Sequence, residues 1–281
     1  VPDWWTMPGR RTHIQRRELD AWGRAGIDAF VGPAHVTAAM KHRESADFTT
    51  VTNVPPSLAN PTPARFIFVS EDGVISAGAP GITTAQVKVT ASANYKGVAI
   101  AGNGTANLLF AADFTGGKID VYDTAYMPTT VPGRFTDERL PRGYQPFNIM
   151  NIQGNLYVSY ALLKEGDEEE TTGQGLGIVN VFDADGFLLK RLISHGQLNA
   201  PWGMALAPAG FGKFSNMLLV GNFGDGAIHA YDPANGNHRG RLRSANADVK
   251  LEGLWGIAFG PGVAHQPTDT LFAAAGSNDE D

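Results

Sequence analysis

An all-β β-propeller is the fold this sequence predicts, and three observations carry that expectation. Lys96, Phe147, Trp202 and Trp255 hold equivalent places in a repeated pattern and lie 51, 55 and 53 residues apart. Each period contains short apolar runs, four where the pattern is complete. Gly, Pro, Asn and Asp punctuate the joints, as hairpin turns require. A period of about 50 residues built from four short strands is the signature of a propeller blade. The stretch 201–232, PWGMALAPAGFGKFSNMLLVGNFGDGAIHAYD, shows three strands of one such unit.

Composition agrees with one closed all-β unit. The chain has 281 residues, of which 43% are hydrophobic, enough for a core, and its 34 Gly suit many tight turns. A net charge of −6 argues against a nucleic-acid partner. No run reaches the roughly 18 apolar residues that a membrane span needs, and the first residues lack a signal-peptide layout. The absence of cysteine excludes disulfides, thiolate zinc sites and cysteine nucleophiles.

In chain order, 1–31 holds Trp4, Trp5 and four arginines (Arg10, Arg11, Arg16, Arg17) and reads as two solvent-edged strands at 12–15 and 27–31. First strands follow at 35–40, 95–100, 146–150, 201–205 and 254–258. Second strands are expected at 65–69, 108–112, 156–160, 217–221 and 270–274. Third strands fall at 74–77, 118–122, 178–182 and 227–231. Fourth strands are weaker, at 86–90, 188–193 and 239–243, with a poorly marked one after Asp123. The first repeat is long, and the Pro-rich stretch 53–63 is its simplest insertion. The fifth repeat stops after two strands. The expectation is therefore five blades, with 253–281 giving the inner strands of the last and 1–31 closing the ring. The other blades span 32–94, 95–143, 144–199 and 200–252. Six blades is the alternative.

Asp123, Asp183 and Asp232 each end a third strand and read as turn caps. Asp183, Asp185 and Gly186 begin like a calcium loop, but position 12 is Ser194 rather than Glu, which rejects an EF-hand. Propeller geometry gathers on one face the residues just before each first strand and those between second and third strands. The first group is His35, Lys96, Asn148, Trp202 and Trp255. The second is Glu71, Asp72, Asp113, Tyr160, Asn222, Asp225, Ser277, Asn278 and Asp279. These are hard oxygen donors with little imidazole, a set that favours Ca²⁺, with Mg²⁺ next, over zinc. The acidic run EGDEEE at 165–170 is expected to overhang the same face, as a solvated loop or as a flap. No G-x-S-x-G, H-E-x-x-H, Walker or G-x-G-x-x-G motif is present.

From Ala64 onward, ARFIFVSEDGVISA (64–77), YKGVAIA (95–101), IDVYD (119–123), GYQPFNI (143–149), the stretch 177–233 and GLWGIAFG (253–260) resemble an exported bacterial propeller family related to the NHL and YVTN repeats. That resemblance implies an extracellular or periplasmic protein. It also implies a further NPWG-like strand pair at the start and a continuation beyond Asn278, both lacking here. The architecture is similar to calcium-dependent propeller lactonases of the gluconolactonase and paraoxonase type, in which Glu, Asn and Asp hold a channel Ca²⁺. Their motifs do not align residue for residue.

Two functions follow as expectations. The first is a metal-assisted hydrolase, a monomer opening a lactone or similar ester. Glu71, Asp113, Asn148, Asn222 and Asn278 would hold Ca²⁺, and Asp225 or His35 would act as general base. Trp202, Trp255, Tyr160 and Lys96 would bind the substrate. The second is a non-catalytic propeller that binds a protein or a glycan through the same face.

Overall fold

The computed structural model describes residues 62–64, 66–79, 84–244, 247–262 and 267–276, together with strand segments 4–5, 14–15, 29–30, 39–40 and 49–51. Among the described residues there is no α-helix; one 3₁₀ turn, Gly212–Phe214, interrupts an all-β chain.

Three complete four-stranded antiparallel meanders form the middle of the molecule. Sheet II is Tyr95–Gly102, Asn107–Asp113, Lys118–Tyr122 and Pro128–Thr129. Sheet III is Tyr144–Ile152, Asn155–Leu162, Ile178–Phe182 and Leu188–Ser194. Sheet IV is Pro201–Leu206, Leu218–Asn222, Ile228–Tyr231 and His238–Arg241. Sheet I contributes Phe66–Val69, Val74–Gly78 and Gln86–Thr90, and sheet V is the hairpin Leu254–Phe259 with Leu271–Ala275.

Period-two alternation explains how the sheets pack. In sheet II, Val98, Ile100, Leu109 and Ala111 face sheet I, where they meet Ile67, Val69 and Ile75. Their alternates Ala99, Ala101, Leu108, Phe110 and Ala112 face sheet III and meet Ile149, Val158 and Phe182. Sheets III and IV share Val179, Val181, Met204, Leu218 and Val220. Sheets IV and V share Leu219, Ile228, Leu254 and Ile257. A strand covered on both faces reads as a continuous apolar run, which is why Tyr95–Gly102 is buried along all but its last residue. Outer strands have less cover, and His238–Arg241 is exposed or half-buried throughout.

First strands of successive sheets lie side by side: Tyr95–Gly102 by Tyr144–Ile152, then Pro201–Leu206, then Leu254–Phe259. Near the start of the chain, Ile14–Gln15 pairs with Trp4–Trp5 and Ala29–Phe30 with Ala39–Met40. Among the described residues, Leu271–Ala275 pairs with Leu254–Phe259 alone, and no closed ring is found. The rest of the closing strands expected at 12–31 lies outside the described residues.

Candidate functional site

The first strands of sheets II to V carry an irregularity at the same place. Register shifts fall between Tyr95 and Gly97, Pro146 and Asn148, Pro201 and Met204, and Leu254 and Ile257. A bulge turns one side chain out of the alternation, and the residues so turned are Lys96, Phe147, Trp202 and Trp255. They lie within the first strands rather than just before them, and all four are buried. Phe147, Trp202 and Trp255 join Phe114, Ala161 and Ala200 in one cluster, with Phe223 packed against it. The rings meet edge to face or tilted: Trp202 on Trp255 at 5.6 Å, Phe223 on Trp255 at 4.5 Å, Phe114 on Phe147 at 5.4 Å. Backbone contacts fix the arrangement. Trp202 Nε1 donates to the Lys96 carbonyl at 2.9 Å, and Asn148 Nδ2 donates to the Trp202 carbonyl at 2.8 Å.

Lys96 is the charged member of this repeated position. Its side chain is 1% exposed, and its Nζ lies 5.9 Å from the Phe114 ring centre. A buried ammonium must be paired to stay charged. Lys96 Nζ donates to Glu71 Oε1 at 2.6 Å and to Glu169 Oε2 at 2.6 Å, with Glu170 Oε2 at 3.9 Å. Burial works against the ammonium, but the carboxylates of Glu71 and Glu170 outweigh it and raise its pKa above the ordinary lysine value. Glu170 shows the opposite balance. Its side chain is 5% exposed, its Oε2 accepts no hydrogen bond, and burial pushes its carboxyl up to about 7 despite Lys96.

The acidic run supplies Glu169 and Glu170. In sheets II and IV only a short turn joins the second strand to the third. In sheet III the link runs from Leu162 to Ile178, and a bridge between Leu162 and Thr171 closes its base. The excursion folds back onto Lys96. The cation it meets belongs to the chain itself.

The other expected site residues are engaged locally. Asp113 Oδ1 accepts from the Asn94 and Gly116 backbone N–H groups at 3.0 Å each, and Oδ2 lies 3.5 Å from Lys118 Nζ. Asn148 Oδ1 accepts from the Ile149 N–H at 2.8 Å. Asn222 accepts from the Asn199 N–H at 3.1 Å and donates to the Gln197 carbonyl at 2.8 Å. Asp225 is exposed and caps the Ala227 N–H at 3.1 Å. Tyr160 is buried between sheets II and III beside Ile149 and Phe182. His35 and Asn278 lie outside the described residues. The structure thus brings Glu71 to Lys96 and Asn148 to Trp202, and sets Asn222 and Asp225 around one turn. No group of three His, Cys, Asp or Glu able to hold a metal occurs among the described residues. As folded, Glu71 is bonded to an ammonium, and Asp113, Asn148 and Asn222 serve backbone groups, so these four described donors do not suit a shared Ca²⁺ in this arrangement. The three turn aspartates do cap their turns: Asp123 accepts from Ala125 and Met127, Asp183 from Asp185 and Phe187, Asp232 from Ala234.

A second polar group sits away from this centre. His229 Nδ1 is 3.0 Å from His238 Nε2 across sheet IV, with the buried Tyr231 ring beside both. Burial, with the neighbouring His238 adding to it, lowers the His229 pKa to about 4.

No protein-family model matches the chain. It is 38% identical over 170 residues to uncharacterized protein R648 of Acanthamoeba polyphaga mimivirus, covering 58% of this chain and 41% of the relative. Over 204 residues it is 32% identical to R640 of the same virus, covering 69% and 38%. Against L690 it is 36% identical over 175 residues, covering 58% and 44%. The chain therefore spans about two fifths of the length of these relatives. They correct the resemblance to an exported bacterial family: the matching proteins are viral, and the extracellular or periplasmic placement rested on that resemblance alone. Among solved structures, a nidogen/laminin complex aligns with TM-score 0.48 and 15% identity, covering 75% of this chain and 77% of that one. The WD40 β-propeller domain of Doa1 aligns with TM-score 0.42 and 13% identity, covering 69% and 55%. Likenesses this distant carry no argument about function.

Proposed function

We propose that the chain is a non-catalytic binding propeller that presents a protein or glycan partner with the face around Lys96. The observation that supports this reading is the filled centre. A metal-assisted hydrolase needs room for substrate and donors aimed at a reacting carbonyl. Here Phe114, Phe147, Trp202 and Trp255 pack ring on ring, and the carboxylate of Glu71 is bonded to Lys96. The side-by-side run of first strands supports a ring of five blades, with six as the alternative, closed around that centre.

The deciding experiment is a thermal melt of the chelator-treated protein with and without Ca²⁺, run beside an assay on a panel of lactones. A binding propeller shows neither a calcium-dependent rise nor turnover. A ligand that binds only the folded state raises its stability by mass action. A rise accompanied by lactone opening would overturn the reading in favour of the hydrolase expected from the sequence.

A further inference from the structure

Sheet IV carries a histidine pair that neither the aromatic centre nor the Lys96 cluster uses. His229 lies on the third strand and His238 on the fourth, and their facing nitrogens are 3.0 Å apart. His229 is buried while His238 is exposed, so the pair spans the boundary between core and solvent. Tyr231, two residues from His229, brings a hydroxyl that is buried and has no hydrogen-bond partner. Its ring centre is 5.3 Å from that of His238 and 6.5 Å from that of His229. Leaving such a hydroxyl unsatisfied costs stability, so it calls for an explanation.

We propose that His229 and His238 form a two-imidazole binding site for a divalent transition cation such as Zn²⁺, with water completing the coordination. Two zinc–nitrogen bonds of about 2.0–2.1 Å at a tetrahedral angle set their nitrogens about 3.3 Å apart. The observed pair needs to open by only a few tenths of an ångström. Imidazole nitrogen suits zinc, nickel and copper and is a poor ligand for calcium. Metal binding requires neutral imidazole, and burial keeps the His229 ring in that form near neutrality. One ring hydrogen now lies between the two nitrogens. The cation takes its place, and whichever ring donated that hydrogen carries it on its other nitrogen instead. Two further charges act on His229: Asp225 favours a cation there and Arg241 opposes it. Arg241 is itself ion-paired to Asp248.

The test uses the full chain, stripped with a chelator and titrated with Zn²⁺ while the melting temperature is followed. Co²⁺ serves as a second probe, because imidazole-bound Co²⁺ gives visible absorption bands. The wild type is expected to melt higher with Zn²⁺ and to develop the Co²⁺ bands. His238→Ala, an exposed position that spares the fold, is expected to weaken Zn²⁺ binding at least tenfold and to lose the bands. His195→Ala, just beyond the last strand of sheet III, should behave as the wild type. An unmoved wild-type melt without Co²⁺ bands, or a His238→Ala variant that binds Zn²⁺ as tightly as the parent, overturns the proposal.

Discussion

A lysine with 1% of its side chain exposed keeps its charge only if the surroundings replace water, and Lys96 does so with Glu71, Glu169 and Glu170. Removing one member of a buried ion cluster strands the others. Lys96→Met should therefore lower stability at pH 7 by about 3–5 kcal/mol, read as the urea midpoint. Glu170 itself makes a pH-dependent contribution. Its carboxyl rises from an ordinary 4.5 to about 7 in the folded chain, so the folded state holds a proton that the unfolded state releases. Its contribution to stability is complete below about 4.5 and is lost as the pH climbs through about 7. A difference of that size corresponds to on the order of 3 kcal/mol. Glu170→Gln mimics the protonated form, so its unfolding midpoint should stay flatter between pH 4.5 and 7 than the wild type's. Equal slopes for both proteins would show that Glu170 titrates normally. Both halves of this cluster were visible in the sequence: a lysine where the other repeats place an aromatic residue, and the run EGDEEE. Their sharing of one face was expected, but their direct contact was not. They are 73 residues apart, and no period links them, because the acidic run belongs to one repeat alone.

Strands were legible because alternation and turn chemistry act locally. Lys118–Tyr122, Ile178–Phe182 and Gln86–Thr90 begin and end where the pattern placed them. The fourth strand of sheet II was faint for a physical reason: Pro128–Thr129 has two residues, both exposed, and proline withholds a ladder donor. Bulges were not legible, since a register shift depends on the partner strand. They decide the centre, and in three of the four a glycine follows the turned residue. Gly97 and Gly203 follow Lys96 and Trp202 directly, where neighbouring first strands approach closely. A Cβ on Gly203 would meet the Trp255 carbonyl oxygen at 2.6 Å and the Ile257 nitrogen at 3.0 Å, both backbone atoms that cannot swing aside. Gly203→Ala should therefore cost about 1–3 kcal/mol, the usual range for overpacking. Gly210 has no atom within 4 Å of the same hypothetical carbon, so Gly210→Ala should be neutral or slightly stabilising. Chemical denaturation of the two variants side by side checks this, and equal losses would rule out the close approach as the cause.

Across the whole molecule, cover falls from the first strand of each complete sheet to the fourth. Local opening follows cover, because amides with few apolar neighbours exchange without global unfolding. Amides in Tyr95–Gly102 and Pro201–Leu206 should exchange at least a hundredfold more slowly than those of Thr129 and of His238–Arg241. Sheet V then tests the proposed ring. Its second strand, Leu271–Ala275, is largely exposed among the described residues, whereas its counterpart Leu218–Asn222 is buried throughout. A closed ring must lay a further strand along that edge, because open apolar edges invite pairing with other chains. Closure therefore predicts that amides of Leu271–Ala275 exchange about as slowly as those of Leu218–Asn222, by mass spectrometry on the intact chain. Fast exchange confined to 271–275, with Leu254–Phe259 still protected, would mean that sheet V ends as a hairpin and that the sheets form an open arc.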